Sequence, residues 1–179
     1  MTLLRDIDVL GDEALQRTIT RWSAAVAVAG LALAAVVGAL TLPGGSEPAL
    51  APGWWLALVV GVVLPLPVHE LVHAAAFKLL APGCHVSFGA QLGFLYTKTD
   101  GVVLPRGRMV VVLLAPAVLV TAATAAVPLC AGWPVLACAL AALHLSGCMG
   151  DVLMARAAVA EPGCTHVRDT DRGIELLAA

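Results

Sequence analysis

Long apolar blocks separated by short polar stretches set the pattern of this chain. Four blocks carry almost no charge, and they span about residues 22–42, 54–81, 108–128 and 133–158. Each block has roughly the 20 residues that a helix needs to cross the hydrocarbon core of a bilayer. The pattern predicts a single integral membrane domain over residues 1–179 with four transmembrane helices, a polar N-terminal segment (1–21) and a polar C-terminal tail (159–179).

Between the second and third blocks, the period of the pattern changes to two. From Val86 to Tyr96 the apolar residues occupy most of the even positions, which is typical of a strand. Asp100-Gly101 is a tight-turn pair, and residues 102–104 are apolar enough to return as a second strand. The predicted class is therefore an all-α membrane protein with a membrane-associated β-hairpin-like loop between helices 2 and 3. Its open edge could take an extended peptide as an added strand, and an ordinary connecting loop is the alternative.

Prolines divide the apolar blocks further. Pro65 and Pro67 remove backbone donors inside the second block, so a kink or an unwound turn is expected near Gly61–Leu64. The segment from Pro43 to Pro48 breaks any helix and predicts a loop. In the N-terminal segment the apolar residues fall at roughly helical spacing, which predicts either a short interfacial amphipathic helix or a solvated tail.

The composition supports a membrane protein. Hydrophobic residues make up 60% of the chain and charged residues 12%, against about half and a quarter in soluble domains. The net charge of -2 gives no reason to expect nucleic-acid binding. The five cysteines form no C-x-x-C pair and several lie in apolar blocks, so a disulfide framework is not expected.

The basic residues predict an orientation in the bilayer. Loops 43–53 and 128–134 contain no lysine or arginine, whereas the N-terminal segment, the region 82–107 with its flanks and the tail contain all of them. Cytoplasmic loops carry the excess of lysine and arginine. We therefore expect a multi-pass protein of the cell membrane with both termini and the hairpin-like loop on the cytoplasmic side.

Titratable side chains are costly inside an apolar helix, and the second block contains three together. It reads V-H-E-L-V-H-A from Val68 to Ala74. His69 and His73 are four residues apart, so on a helix they lie on one face and can ligate one metal ion. Glu70, next to the first ligand, can face a catalytic water without binding the metal. This H-E-x-x-H pattern predicts a Zn²⁺ site in which Glu70 is the catalytic general base; a polar helix-packing contact is the alternative.

A catalytic zinc ion usually has three protein ligands, so one more is needed. Asp151 is a lone carboxylate in the cytoplasmic half of the fourth block, at nearly the same depth as the histidines. It is the predicted third ligand, and pairing with Arg156 at a helix end is the alternative. His144 and Cys148 share a helix face with Asp151 at spacings of i, i+4 and i+7. His144 is a candidate catalytic residue that would hydrogen-bond the tetrahedral oxyanion. Alternatively, it is a metal ligand or a hydrogen-bond partner of a ligand. Cys148 is either a soft metal ligand or a residue that fills the apolar core.

The H-E-L-V-H motif, Ala115-Pro116 in the next block and the run from His144 to Asp151 (H-L-S-G-C-M-G-D) together resemble a known family. They are similar to the putative zincin peptidase family catalogued as domain of unknown function 3267, which is itself similar to site-2 protease-type intramembrane metalloproteases. The resemblance implies metal binding by His69, His73 and Asp151, with Glu70 catalytic. In site-2 proteases an asparagine stands roughly where His144 does, and an Asp-Gly pair stands where this chain has Gly150-Asp151.

Two classes of function follow. The first is an intramembrane zinc metalloendopeptidase that acts on a membrane-embedded peptide or protein near the cytoplasmic face, with the lipid bilayer as its environment. The second is a non-catalytic metal-binding membrane protein: a sensor, a scaffold or an inactive protease relative. The presence of Glu70 favours the peptidase, because a site that only binds metal does not need it.

Overall fold

The computed structural model describes residues 1–41, 47, 51–91 and 94–179. The chain is mostly helical, with six helices and two small sheets among these residues. The helices are α1 (Glu13–Thr41), α2 (Pro52–Val63), α3 (Pro65–Leu80), α4 (Arg106–Cys130), α5 (Pro134–Gly147) and α6 (Met149–Ala160). The strands are β1 (Thr2–Asp8), β2 (Val86–Gln91), β3 (Phe94–Thr99), β4 (Val103–Pro105), β5 (His166–Thr170) and β6 (Gly173–Ala178).

The apolar blocks all form helices, as predicted. In the part of the chain that is described, α1, α2 with α3, and α4 are long and apolar enough to cross a membrane, and α5 with α6 adds a fourth crossing if counted as one span. These lengths are consistent with a membrane protein. The interruption predicted near Gly61–Leu64 is limited to Leu64, since α2 ends at Val63 and α3 begins at Pro65. The backbone of Leu64 has helical dihedral angles, and α2 with α3 counts as one span. The loop predicted at Pro43–Pro48 lies outside the described residues except for Glu47.

The fourth block is not the straight helix that its uniform composition suggests. It breaks at Cys148, where α5 and α6 meet at an angle of 54°. Cys148 is flanked by Gly147 and, one residue further on, by Gly150, and a Cβ on either glycine would meet nothing within 4 Å. Glycine weakens a helix locally, so this is the place where the chain bends at least cost. The i, i+4, i+7 relation of His144, Cys148 and Asp151 on one straight face is therefore wrong.

The helices pack closely where side chains are small. Gly30 of α1 lies against Ala142 of α5, where an added Cβ would meet the Ala142 Cβ and backbone. Gly61 of α2 lies against the flexible end of the Leu140 side chain. Small residues at a contact let helix backbones approach closely. Many apolar side chains of α1 and α2 are exposed, which is consistent with helices long and apolar enough to cross a membrane.

The two ends of the chain form a sheet that the sequence did not predict. Its order is β1-β6-β5-β4 and every pair is antiparallel. The N-terminal segment is thus neither an interfacial helix nor a solvated tail, and α1 begins at Glu13, capped by the Asp12 carboxylate. The C-terminal tail is likewise not a free polar segment. The inner face of this sheet, including Ile174 and Leu176, packs on one end of the helix bundle.

The hairpin between the second and third spans is present, but its turn is elsewhere. Strands β2 and β3 pair with each other from Val86 opposite Thr99 to Gln91 opposite Phe94. Asp100-Gly101 instead leads into β4, which pairs with β5. A period of two fixes the face that each residue occupies but not the partner strand, so the predicted return strand was assigned to the wrong neighbour.

The hairpin is tied to the terminal sheet by Asp169 of β5. Its carboxylate accepts hydrogen bonds from the Thr99 backbone N–H at 2.8 Å and the Thr99 hydroxyl at 2.7 Å. Burial raises the pKa of Asp169 above its ordinary value, and the two hydrogen bonds from Thr99 oppose that rise only in part. Nearby, Lys98 forms an ion pair with Asp171 at 3.0 Å.

Glu47 ties the opposite end of the bundle together. This buried carboxylate accepts hydrogen bonds from the Trp54 indole at 2.7 Å and from the backbone N–H groups of Val135 and Leu136 at 2.8 and 3.0 Å. Those N–H groups lie in the first turn of α5, which has no side-chain cap of its own. A carboxylate at a helix N-terminus satisfies unpaired donors and interacts favourably with the helix dipole.

We predict that Glu47→Gln lowers the free energy of unfolding by about 1–3 kcal/mol. The glutamine NH₂ group would face N–H groups that now donate to the carboxylate, and two donors cannot form a hydrogen bond. The measurement is chemical unfolding of the detergent-solubilised protein. Glu13→Gln is the matched control, because Glu13 is exposed and forms only a 4.0 Å pair with Arg17. Equal stability of wild type and Glu47→Gln would contradict this role for Glu47.

Asp169 should make stability depend on pH. The folded protein holds this proton to higher pH than the unfolded chain, whose aspartates titrate near about 3.9. Stability from this group is therefore greatest below the unfolded pKa and is lost as pH rises through the folded pKa. In thermal melts at a series of pH values, Asp169→Asn should remove this loss, whereas Asp6→Asn, at an exposed carboxylate of β1, should keep it. Parallel pH profiles for wild type and Asp169→Asn would show that the group does not contribute.

Candidate metal centre

Three of the predicted site residues come together where α3 meets α6. His69 Nε2 lies 3.1 Å from Asp151 Oδ2 and 3.1 Å from His73 Nε2, and His73 Nε2 lies 3.6 Å from Asp151 Oδ1. Ligands bonded at about 2.0–2.2 Å in a tetrahedral zinc site are separated by roughly 3.3–3.6 Å from one another. The separations among the two Nε2 atoms and the two Asp151 oxygens are thus close to the spacing of three corners of such a site.

The break in the fourth span helps to place Asp151. Because α6 turns away from α5 at Cys148, the first turn of α6 carries the carboxylate toward α3. The Asp151 side chain is 17% exposed and the His69 side chain 15%. Among the residues that the structure describes, His69 lies within hydrogen-bond distance of this carboxylate and His73 lies 3.6 Å from it, whereas Arg156, the alternative partner from sequence, forms no ion pair with it.

The backbone of α4 orients His73. The Nδ1–H group of this buried ring donates a hydrogen bond to the carbonyl oxygen of Val112 at 3.0 Å. A carbonyl can only accept, so the proton resides on Nδ1 and the lone pair of Nε2 points at Asp151 and His69. A hydrogen bond of this kind on the far nitrogen is the usual support of a metal-ligating histidine.

The donor set fits a cation on electrostatic grounds as well. The Nε2 lone pair of His73 and a carboxylate oxygen repel each other unless a proton or a metal ion lies between them. Such a cluster is costly to bury, and it can be stabilised by one divalent ion that all three residues bind. These residues form one of two groups of histidine, cysteine and acidic side chains, within the described part of the chain, that could hold a metal ion.

Glu70 lies beside this cluster. It lines the same cavity of about 270 Å³ as His69, His73 and Asp151. Its backbone carbonyl accepts a hydrogen bond from the Thr97 hydroxyl at 2.9 Å, which fixes this turn of α3 against β3. The cavity is covered by β3, from Leu95 to Lys98, and by the turn between β5 and β6. Sequence reasoning did not foresee that second wall, because no local pattern shows that the tail returns to the site.

His144 lies behind His69 instead of in the cavity. Its Nε2 is 3.4 Å from His69 Nδ1, the nitrogen that faces away from Asp151, and its Nδ1 is 2.8 Å from the Thr121 hydroxyl. Cys148 is completely buried, with Sγ 3.8 Å from His69 Nδ1. In the described chain the cavity lining includes Gly147 and Gly150 but neither His144 nor Cys148. This position favours a contact with His69 over a contact with a substrate oxyanion.

Comparison with known proteins agrees with this arrangement. A family model described as putative zincin peptidase, domain of unknown function 3267, matches residues 62–165. This range contains His69, Glu70, His73, His144 and Asp151. No curated protein and no solved structure matches the chain. Because the family model covers more than half of the sequence, the chain belongs to the putative zincin peptidase family.

Proposed function

We propose that the protein is an intramembrane zinc metallopeptidase that hydrolyses a peptide bond in a membrane-embedded substrate near the cytoplasmic face. The observation that carries this proposal is the meeting of His69, His73 and Asp151 at ligand spacing beside Glu70, within helices apolar enough to span a membrane. Family membership supports a metallopeptidase.

His69, His73 and Asp151 would hold the ion. Bound zinc supplies Lewis acidity toward water and toward a substrate carbonyl. Glu70 accepts a proton from the attacking water and then gives it to the leaving amine. His144 acts as a positioning residue: it accepts a hydrogen bond from His69 Nδ1–H, which directs the lone pair of Nε2 toward the ion.

The pairing of the terminal strands supports the orientation. Because β1, β4, β5 and β6 form one sheet, both termini and the segment before α4 lie at the same end of the bundle. The stretches of sequence between α1 and α2 and between α4 and α5, residues 42–51 and 131–133, contain no lysine or arginine. The positive-inside rule then assigns the sheet and the nearby metal centre to the cytoplasmic side.

Strand β3 is the surface best suited to hold a substrate. It pairs with β2 in a two-stranded sheet of the described residues and lines the cavity beside Glu70. A helical substrate must unwind before its peptide bonds reach a metal centre, and an extended segment can pair with an exposed strand edge. A peptide along β3 would therefore place its backbone against the site.

We predict that Asp151→Asn weakens zinc binding at this centre by at least about 10-fold, since removing a ligand should cost no less than removing a residue that supports one. Zinc added to chelator-treated wild type should raise thermal stability, by about 2.7 kcal/mol at 100 times the dissociation constant. Asp151→Asn should need more zinc for the same rise. Asp171→Asn, which changes a carboxylate of the adjacent turn, is the control. An unchanged zinc titration for Asp151→Asn would exclude Asp151 as a ligand.

The test of the enzymatic function is Glu70→Gln. The variant should keep its zinc but lose cleavage by about 10²–10⁴-fold, the usual contribution of a general base. The measurement is cleavage of a library of single-span peptides reconstituted with the protein in liposomes, read by mass spectrometry. Glu175→Gln is the control, because Glu175 lies on β6 and pairs with Arg168 away from the centre.

Equal cleavage by wild type and Glu70→Gln would contradict the assigned role of Glu70. Zinc binding without cleavage of any library member would instead favour the non-catalytic class, a metal-binding sensor or scaffold. The first outcome tests whether Glu70 acts in catalysis, and the second tests whether the protein that binds zinc is an enzyme at all.

A further inference from the structure

A second cluster of soft donors lies on the other side of His69. Cys148 Sγ is 3.8 Å from His69 Nδ1 and 4.0 Å from His144 Nε2, and the two ring nitrogens are 3.4 Å apart. None of these atoms belongs to the face of His69 that meets Asp151. Each ring nitrogen of His69 thus faces a different donor set, Nε2 the zincin triad and Nδ1 this cluster.

The spacing of the second cluster fits a metal ion. With bonds of about 2.0–2.1 Å to nitrogen and about 2.3 Å to sulfur, tetrahedral geometry separates two nitrogens by roughly 3.3 Å and a nitrogen from a sulfur by roughly 3.6 Å. The observed separations exceed these values by a few tenths of an ångström. Sγ lies 3.7 Å from His144 Nδ1, nearer than to Nε2, so the His144 ring or the thiol must rotate for both to face one ion. One thiolate and two imidazoles form a donor set that favours thiophilic ions.

We propose that His69 Nδ1, His144 Nε2 and Cys148 Sγ form a second metal site, which takes a thiophilic ion such as Zn²⁺ or Cu⁺. The Thr121 hydroxyl, 2.8 Å from His144 Nδ1, can accept a hydrogen bond from an Nδ1–H group and leave the Nε2 lone pair facing His69 Nδ1. The site does not depend on peptidase activity, and it needs neither His73 nor Asp151.

The proposed route of an ion into this cluster runs through the cavity wall. Gly147 and Gly150 lie on either side of Cys148 and line that wall, and a Cβ on either glycine would meet nothing within 4 Å. The thiol itself is buried behind the wall, so an ion would pass between these two glycines to reach it. An ion bound there takes the place of the Nδ1 proton of His69, so that one imidazole links the two sites.

The test uses cobalt as the probe metal in the full-length, detergent-solubilised protein after chelator treatment. Cobalt bound by a thiolate gives a sulfur-to-metal charge-transfer band in the near ultraviolet, which nitrogen and oxygen ligands do not give. We expect this band in wild type, in Asp151→Asn and in Cys138→Ser, a control that removes a thiol from α5 outside the cluster. We expect Cys148→Ser to lose the band while still binding cobalt.

If Cys148→Ser fails to fold, His144→Asn provides a second variant. This variant should weaken the band. The proposal is overturned if wild type binds cobalt without the band. It is also overturned if Asp151→Asn loses the band together with Cys148→Ser, because the thiolate would then be a fourth ligand of one shared ion. Either result leaves the Glu70→Gln cleavage test unaffected, so failure of this proposal is distinct from failure of the peptidase proposal.

Discussion

The metal centre is organised around the repulsion between the Asp151 carboxylate and the nitrogen lone pairs beside it. Only a cation or shared protons can relieve this repulsion. Asp151 and the lone pair of His73 are held 3.6 Å apart, and His69 lies within 3.1 Å of both residues. In water such groups would separate, and in an apolar bundle they are costly. They remain together because α3, α4 and α6 fix them from three directions: through the helical spacing of the histidines, the Val112 carbonyl and the first turn of α6.

The bend at Cys148 links this constraint to the fold. A straight fourth span would have kept His144 and Asp151 on one face, and both would then compete for the same side of His69. With the bend, Asp151 meets Nε2 and His144 meets Nδ1, so the imidazole is held between two partners. A histidine fixed at both nitrogens has little rotational freedom, and little entropy remains to be lost when it binds an ion.

The sequence was informative wherever one local pattern determined the answer. Apolar blocks with almost no charge predicted the helices, Pro65 and Pro67 predicted the break before His69, and the depth of Asp151 predicted its proximity to the histidines. The terminal sheet was not foreseen, because β1 and β6 lie at opposite ends of the chain and neither strand can bury its apolar face alone. Asp169 and the turn after it therefore looked like solvated tail, although they help to cover the cavity.

The strand and turn that cover the cavity affect how a membrane-embedded substrate could reach the metal centre. The cavity wall is built from β3 of the hairpin and from the β5–β6 turn, which are joined at Asp169 and Thr99 and at Lys98 and Asp171. The buried Asp169 carboxylate accepts two hydrogen bonds from Thr99. The contact between Lys98 and Asp171 is a surface ion pair of small net energy. Because Lys98 and Thr99 are neighbours on β3, all of these contacts hold the same end of the strand against β5 and the turn after it. We propose that a substrate peptide would pair with the part of β3 before this end, while the Asp169 contacts hold the strand beside Glu70.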